Sequence, residues 1–305
     1  MQRAVRKKCV GSCISSFPLS QSSLQTLFLL SHLSPLSIAP IVIMNAITDP
    51  SLPILSDLVG TKVTVSYPFR SETTTWEILE KITGKAVPVT EDDIARGCDA
   101  YVTGKFLCRR FDSGEVAFMR YHQQIPASGT EFTKTSIRAA QATGPFETGE
   151  LLALKTLTEG ACEVVPRLLG YRHDEQDEDD IVPGGFITYV IWEKVAGDSL
   201  DSGRFWSCSF AEREEIRAIF RRTYEKLLPF KWRPDSLPDN IIYDWRTKEM
   251  HISGFDQAHD DHILKEWDNI IYLHYWLVYS PSMPQNEYYP IKATDVYHDN
   301  KGWKW

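Results

Sequence analysis

No pair of cysteines in this chain is spaced Cys-x-x-Cys; the six (Cys9, Cys13, Cys98, Cys108, Cys162 and Cys208) are scattered. That argues against a zinc site and against a disulfide framework, and for reduced thiols in a cytoplasmic or nuclear setting. No run approaches the roughly 18 apolar residues of a membrane-spanning helix. Basic excess is missing as well: 33 Lys and Arg stand against 41 Asp and Glu, a formal net charge of -8. Nucleic-acid binding as the main role is thereby disfavoured. There is no internal repeat and no Gly-x-Gly-x-x-Gly turn.

What is present is ordinary globular composition, 43% hydrophobic and 24% charged. A length of 305 residues suits one bilobal unit or two small domains. Residues 1–44 differ from the rest: Arg3, Arg6, Lys7 and Lys8 precede a Ser/Leu-rich stretch, and the first acid is Asp49. They read as a transit segment, as a poor secretory signal around the short Leu27-Phe-Leu-Leu30, or, favoured here, as disorder or sequence ahead of a start at Met44. Residues 1–50 are therefore set apart as an extension, 51–192 as a first half, and 193–305 as a second half with a tail. The acidic run 174–180 reads as a solvated loop.

Residues 50–68 read as a linker. Short helices are expected over 73–82 and 91–96, the latter opened by Thr90 ahead of Glu91, Asp92 and Asp93. The segment 101–109 alternates, Asp112-Ser-Gly114 is a hairpin turn, and 116–123 is the partner strand. An amphipathic helix follows over 146–157, then strands over 164–171 and 186–192. In the second half, 211–228 is a helix with a charged face and an apolar stripe of Ile216, Ile219, Phe220, Leu227 and Leu228. A strongly apolar helix is expected over 263–278.

The most informative stretch is Asp235-Ser-Leu-Pro-Asp-Asn240, followed by strand 241–243, strand 250–253 and Gly254-Phe255-Asp256. A carboxylate that orients an attacking hydroxyl, an amide that offers oxygen to Mg²⁺, and a carboxylate on the next hairpin form the layout of a phosphoryl-transfer site. The bland reading is that Pro-Asp-Ser and Pro-Asp-Asn are both good turn formers.

Taken in order, these elements resemble the protein-kinase-like fold, in particular its small-molecule branch (aminoglycoside phosphotransferase-like and choline-kinase-like proteins) and short fungal kinase-like proteins. The resemblance covers about residues 97–275. It implies an α+β, bilobal architecture: a small antiparallel sheet with one helix, then a mainly helical, reduced second lobe. It implies ATP and Mg²⁺ as cofactors, and a small-molecule or protein substrate. By the same resemblance Arg120 stands where a phosphate-binding lysine is usual, and Glu150 (or Glu147) on the following helix is its partner. Glu193 and Val195 in Trp192-Glu-Lys-Val-Ala-Gly197 match the hinge that binds an adenine edge. Asp235 matches the catalytic base, and Asn240 and Asp256 the metal ligands.

The departures are specific. Arg120 replaces lysine and is a permanent planar cation, which equally suits a surface or interdomain ion pair. Gly254 replaces the metal-binding carboxylate, so Asp256, two residues on, reaches a metal only with a backbone shift. Gly97 and Gly104 are the only glycines near the nucleotide loop. Together these changes leave two expectations: a phosphotransferase with an impaired site, or a non-catalytic pseudokinase-type binding or scaffold protein with a protein partner. A metal-dependent hydrolase built on Asp256, His259, Asp260, Asp261 and His262 is a weaker third. Of the aromatic-rich end, Trp267, Ile271, Tyr275 and Val278 at helical spacing are expected to pack the second lobe rather than form a binding surface, and the Tyr/Pro-rich tail beyond Pro281 to wrap the surface.

Overall fold

Alternation of β-branched and aromatic residues builds the first half. A computed structural model of the chain describes residues 51–67, 69, 71–260, 266–280, 299 and 301–305. The basic, serine-rich start, Asp261, His262 and the stretch 281–298 with Tyr288 and Tyr289 lie outside the described residues. The elements begin with α1 (Ser51–Ser56), β1 (Lys62–Ser66), β2 (Thr73–Val87), α2 (Glu91–Ala95), β3 (Tyr101–Arg110) and β4 (Val116–Gln124). They continue with α3 (Thr135–Ala139), α4 (Gly149–Glu159), β5 (Leu168–Glu175) and β6 (Phe186–Glu193).

All six strands pair antiparallel in the order β1-β2-β3-β4-β6-β5, and β1 returns to β5 at Ser66 and Tyr171, so the sheet closes into a barrel. The expected small antiparallel sheet is thus joined end to end, and α1 and α4 pack against it. The segment 50–68 is not a linker. It holds α1 and β1, and β1 is the strand that closes the barrel. Residues 73–82 form the first part of β2 rather than a helix, with Thr74, Trp76 and Ile78 buried in alternation. Pairing to strands on both sides outweighs the local pattern. The helix at 91–95 is present and carries a capping box, Thr90 accepting from the Asp93 amide while the Asp93 carboxylate accepts from Thr90.

The barrel interior is filled from alternate positions by Val63, Val65, Trp76, Ile78, Val102, Phe106, Cys108, Ala117 and Met119, with Leu55 of α1 plugging one side. Each Val, Leu, Ile, Phe or Met among them contributes on the order of 1.5–3 kcal/mol when fully buried.

The second half comprises β7 (Asp198–Ser199), α5 (Ser202–Ser207), α6 (Phe210–Leu227), β8 (Trp232–Arg233), β9 (Ile241–Tyr243), β10 (Met250–Ile252), β11 (His259–Asp260) and α7 (Ile270–His274). β9 and β10 form a hairpin, with β7 on its other side. Among the described residues the expected helix over 263–278 is reduced to α7. Val164 is not in a strand of the barrel; its carbonyl accepts from the Ile252 amide at 2.8 Å and so binds β10.

A second core joins Leu151, Leu154 and Leu157 of α4 to Ile216, Phe220, Tyr224 and Leu227 of α6, to the hairpin, and to Ile271, Tyr272 and Tyr275. Helix α4 therefore packs with the second half although it lies in the first half of the sequence. Two arginines of the supposedly charged face of α6 are buried. Arg213 donates to the carbonyls of Cys208 and Trp305, and Arg217 to that of Leu277. No helix among the described residues is long and apolar enough to cross a membrane.

Candidate functional site

Where the barrel meets the β9–β10 hairpin there is a cleft. The β3–β4 hairpin turns at 112–114 and pairs Lys105 directly with Arg120. Cross-strand partners share a face, and this face looks outward, away from the barrel interior filled by Phe106 and Met119. Arg120 donates from Nε to Glu150 Oε2 at 3.0 Å and from Nη2 to Oε1 at 3.3 Å, a two-pronged pair with side chains 14% and 5% exposed. Burial works against the Arg120 charge, but the Glu150 carboxylate outweighs it and holds the guanidinium above its ordinary value.

Glu150 sits in the first turn of α4, where Thr148 caps the helix by accepting from the Leu151 amide at 3.1 Å. The helix start is pressed against the second half: a Cβ at Gly149 would lie 2.2 Å from the Ala258 carbonyl oxygen. That contact couples Glu150 to the loop carrying Asp256.

Opposite stands the 235–240 loop. Its ends are held to the β10 exit by two backbone bonds, Asp235 N to Gly254 O at 2.9 Å and Ser253 N to Asn240 O at 2.7 Å. Inside the loop, Asn240 Nδ2 donates to the Asp235 carbonyl at 2.9 Å. Gly254 has φ +84°, and a Cβ there would be 2.1 Å from Asn240 Nδ2. The position expected to carry a carboxylate in a working kinase thus has neither the backbone conformation nor the room for a side chain.

Asp256 lies close enough to Asp235 for its charge to be felt: burial first, then the Asp256 charge, push the Asp235 carboxyl above the usual range. A carboxyl raised toward neutrality is better matched to general-base work than an ordinary aspartate. Asp256 and Asn240 both line the cleft, together with Asp239, Ser253 and Gly254, and Asp235 stands next to that lining, partly exposed. The Asn240 amide spends its N–H on the loop and keeps Oδ1 as a hard oxygen donor. One carboxylate and one amide oxygen fit Mg²⁺ as a sparse site, since that ion takes much of its shell from phosphates and water.

The connector between the halves leaves β6 at Glu193. Its amide is already used, donating to Arg167 O at 2.9 Å, and its carboxylate pairs with Arg167 Nε at 3.0 Å. Glu193 and Val195 line the outer part of the cleft. Gly197 turns the chain at φ +100° with no room for a Cβ beside the Tyr243 backbone. The inner part of the cleft, about 110 Å³, and the outer part, about 200 Å³, share Lys105, Trp192, Ser199 and Ser253, so they form one continuous groove. Arg120, Glu150, Glu193, Val195, Asn240 and Asp256 all border it.

Two cleft residues escaped the sequence reading. Trp192 is buried at the inner wall, its ring 5.7 Å from the Arg120 guanidinium carbon. Lys105 lines both parts of the groove. In place of a glycine-rich turn, the β2–β3 connection carries the capped, acidic α2. Gly97 only ends that helix at φ +89°, and Gly104 lies within β3. For the histidine–aspartate cluster, no group of three or more metal-ligating side chains occurs among the described residues. His259 and Asp260 are exposed in the short strand β11 beside β8.

No family model matches the chain, and no curated protein matches it. Among solved structures, the Cydia pomonella granulovirus kinase PK-1 is similar to it, with a TM-score of 0.36 and 13% identity over 61% of this chain and 52% of that one. The chain thus spans about half the length of that kinase.

Proposed function

We propose that this chain is a kinase-like protein that binds a nucleotide such as ATP in the groove between barrel and hairpin, with a phosphoryl-transfer centre that is impaired. The observation that carries this reading is the paired Arg120 and Glu150 facing Asn240 and Asp256 across one groove. A buried cation fixed by a carboxylate on a helix, set against a hairpin with oxygen ligands, is the arrangement that positions a phosphate chain for in-line attack. The open backbone beyond Glu193 receives the base edge. Asp235, with its raised carboxyl, orients and deprotonates the acceptor hydroxyl.

Mg²⁺ held by Asp256 and Asn240 would neutralise charge on the phosphate oxygens. With Gly254 in place of a carboxylate that charge compensation is weak, and in a reaction that is mostly positioning and electrostatics the rate falls by orders of magnitude. Gly254 also favours a second reading, a non-catalytic binding protein that uses the groove, with or without nucleotide, to present a surface to a protein partner.

Thermal-shift titration with ATP, with and without Mg²⁺, tests the first element. Millimolar ATP is expected to raise the melting temperature, and no shift at that concentration would end the nucleotide reading. Phosphate transfer separates the two readings: turnover that disappears in Asp235→Ala supports the impaired enzyme, and its complete absence in a nucleotide-binding protein supports the scaffold.

A further inference from the structure

The barrel wall of the groove carries two cations and one acid. Arg120 and Lys105 lie directly opposite each other on neighbouring strands. Like charges in that relation destabilise a sheet unless a counter-charge serves them. Glu150 serves Arg120 with both oxygens. Lys105 has no carboxylate within ion-pair distance among the described residues; its ammonium rests on the Phe118 ring, 4.2 Å from the centroid, with Trp192 at 5.9 Å. An aromatic face is a weak, neutral seat that an ammonium leaves readily for an anion.

We infer that Lys105, not Arg120, is the residue that grips the anionic part of the groove's ligand, and that this part is a phosphate chain. The inference rests on the nucleotide reading and names the cation within it. Arg120 is held in place by Glu150 and acts as a positioning residue for the wall. Lys105 is the donor not engaged by a carboxylate, and it is common to both parts of the groove, so it reaches a phosphate chain lying between the Glu193 end and the Asp256 end. Burial, then the nearby Arg120 charge, pull the lysine below its usual value, while Glu150 and Asp256 oppose that pull. An incoming phosphate relieves the same strain. The chemistry is that of a polyphosphate ester, and Asp256 and Asn240 on the far wall leave room for a metal ion on its other side.

The test is calorimetry on the full chain with three probes: ADP, inorganic tripolyphosphate and adenosine. ADP and tripolyphosphate are expected to bind the unmodified protein. Lys105→Met is expected to weaken both at least 10-fold and adenosine less than about 2-fold, while Lys105→Arg keeps most of the affinity. A second measurement needs no variant: amine-reactive labelling followed by mass spectrometry, in which saturating ADP is expected to cut modification of Lys105 at least 5-fold. If ADP binds with unchanged affinity to Lys105→Met, or leaves Lys105 labelling unaltered, the assignment to Lys105 is wrong and the nucleotide groove stands. If none of the three probes binds the unmodified protein, the nucleotide reading fails and the inference falls with it.

Discussion

The side-chain amide of Asn240 lies over the α-carbon of Gly254, so that a Cβ built there would be 2.1 Å from Nδ2 and 2.2 Å from Cγ. The same amide closes the loop by donating to Asp235 O. Gly254→Ala is therefore expected to destabilise the chain by about 2–4 kcal/mol, from a left-handed φ and an overpacked contact together. Adding Asn240→Ala should return the steric part and leave the backbone part. A double-mutant cycle by urea denaturation measures this; strictly additive effects would mean the amide is not the obstacle. Gly254→Asp should likewise fail to create a better metal site.

Arg120 and Glu150 form a largely buried pair. Removing one partner leaves an uncompensated charge, so Arg120→Met is expected to cost about 3–5 kcal/mol. The double variant Arg120→Met with Glu150→Leu should recover most of that, because a buried pair replaced by apolar groups is often near neutral. Denaturation midpoints of the three proteins decide it.

His122 lies on β4 between the rings of Tyr101 and Phe146, buried, with neither ring nitrogen hydrogen-bonded among the described residues. Burial, then the charges of Arg120 and Lys85, pull it from the ordinary 6.5 down to about 3. The folded state thus holds the neutral ring while the unfolded chain takes up a proton. Its contribution is intact above about pH 6.5 and is lost progressively as pH falls toward 3. By pH 5 the loss is about 2 kcal/mol. His122→Phe should flatten that part of the stability profile; an unchanged slope from pH 7 to 5 would remove His122 as its source.

Gly149 admits the Ala258 carbonyl where a methyl group would sit. Gly149→Ala is expected to shift the start of α4 away from the Asp256 loop. Helix propensity alone would favour alanine by roughly 0.5–1 kcal/mol, so a net loss of stability, together with weaker ADP binding, is the signature of the close approach. A stabilised variant with unchanged binding would refute it.

The metal side of the groove offers one carboxylate and one amide oxygen, Asp256 and Asn240. Mg²⁺ is accordingly expected to tighten ATP binding less than 10-fold, and Asp256→Asn to abolish that increment. Calorimetry with and without Mg²⁺ checks it, and a large, Asp256-independent effect would place the metal elsewhere.

Much of this was legible beforehand where local signals and long-range pairing agree. The Asp112-Ser-Gly114 turn, the strands beside it, the Thr90 cap and the order of α4, β6 and the 235–256 hairpin follow from turn chemistry and periodicity. Residues 73–82 misled because apolar Trp76, Ile78, Leu79 and Ile82 satisfy a helical period as well as an alternating one. Three consecutive threonines, β-branched and at home in strands, were the better signal. Arg213 and Arg217 looked like a solvated face because sequence cannot tell that the Leu277 and Trp305 carbonyls come to meet them. Lys105 could have been found: the turn pairs Arg109 with Val116, and counting back from there sets Lys105 against Arg120. Glu150 was named from the family resemblance, but its bidentate geometry depends on the packing of α4 against Ala258, which no local signal encodes.

The barrel is zipped shut along one short join, β1 against β5 at Ser66 and Tyr171, while β1 lies along β2 over all five of its residues. A fragment trimmed to begin at Glu72, as the linker reading of 50–68 would invite, loses β1 whole. It would bare a row of backbone donors and acceptors on β2, from Thr73 to Glu77, and open the single join at Tyr171 of β5, leaving an edge ready to accept a strand from a neighbouring molecule. Self-association through that edge is the expected fate of such a fragment, so the residues that look most dispensable in the sequence are the ones that cover the β2 edge.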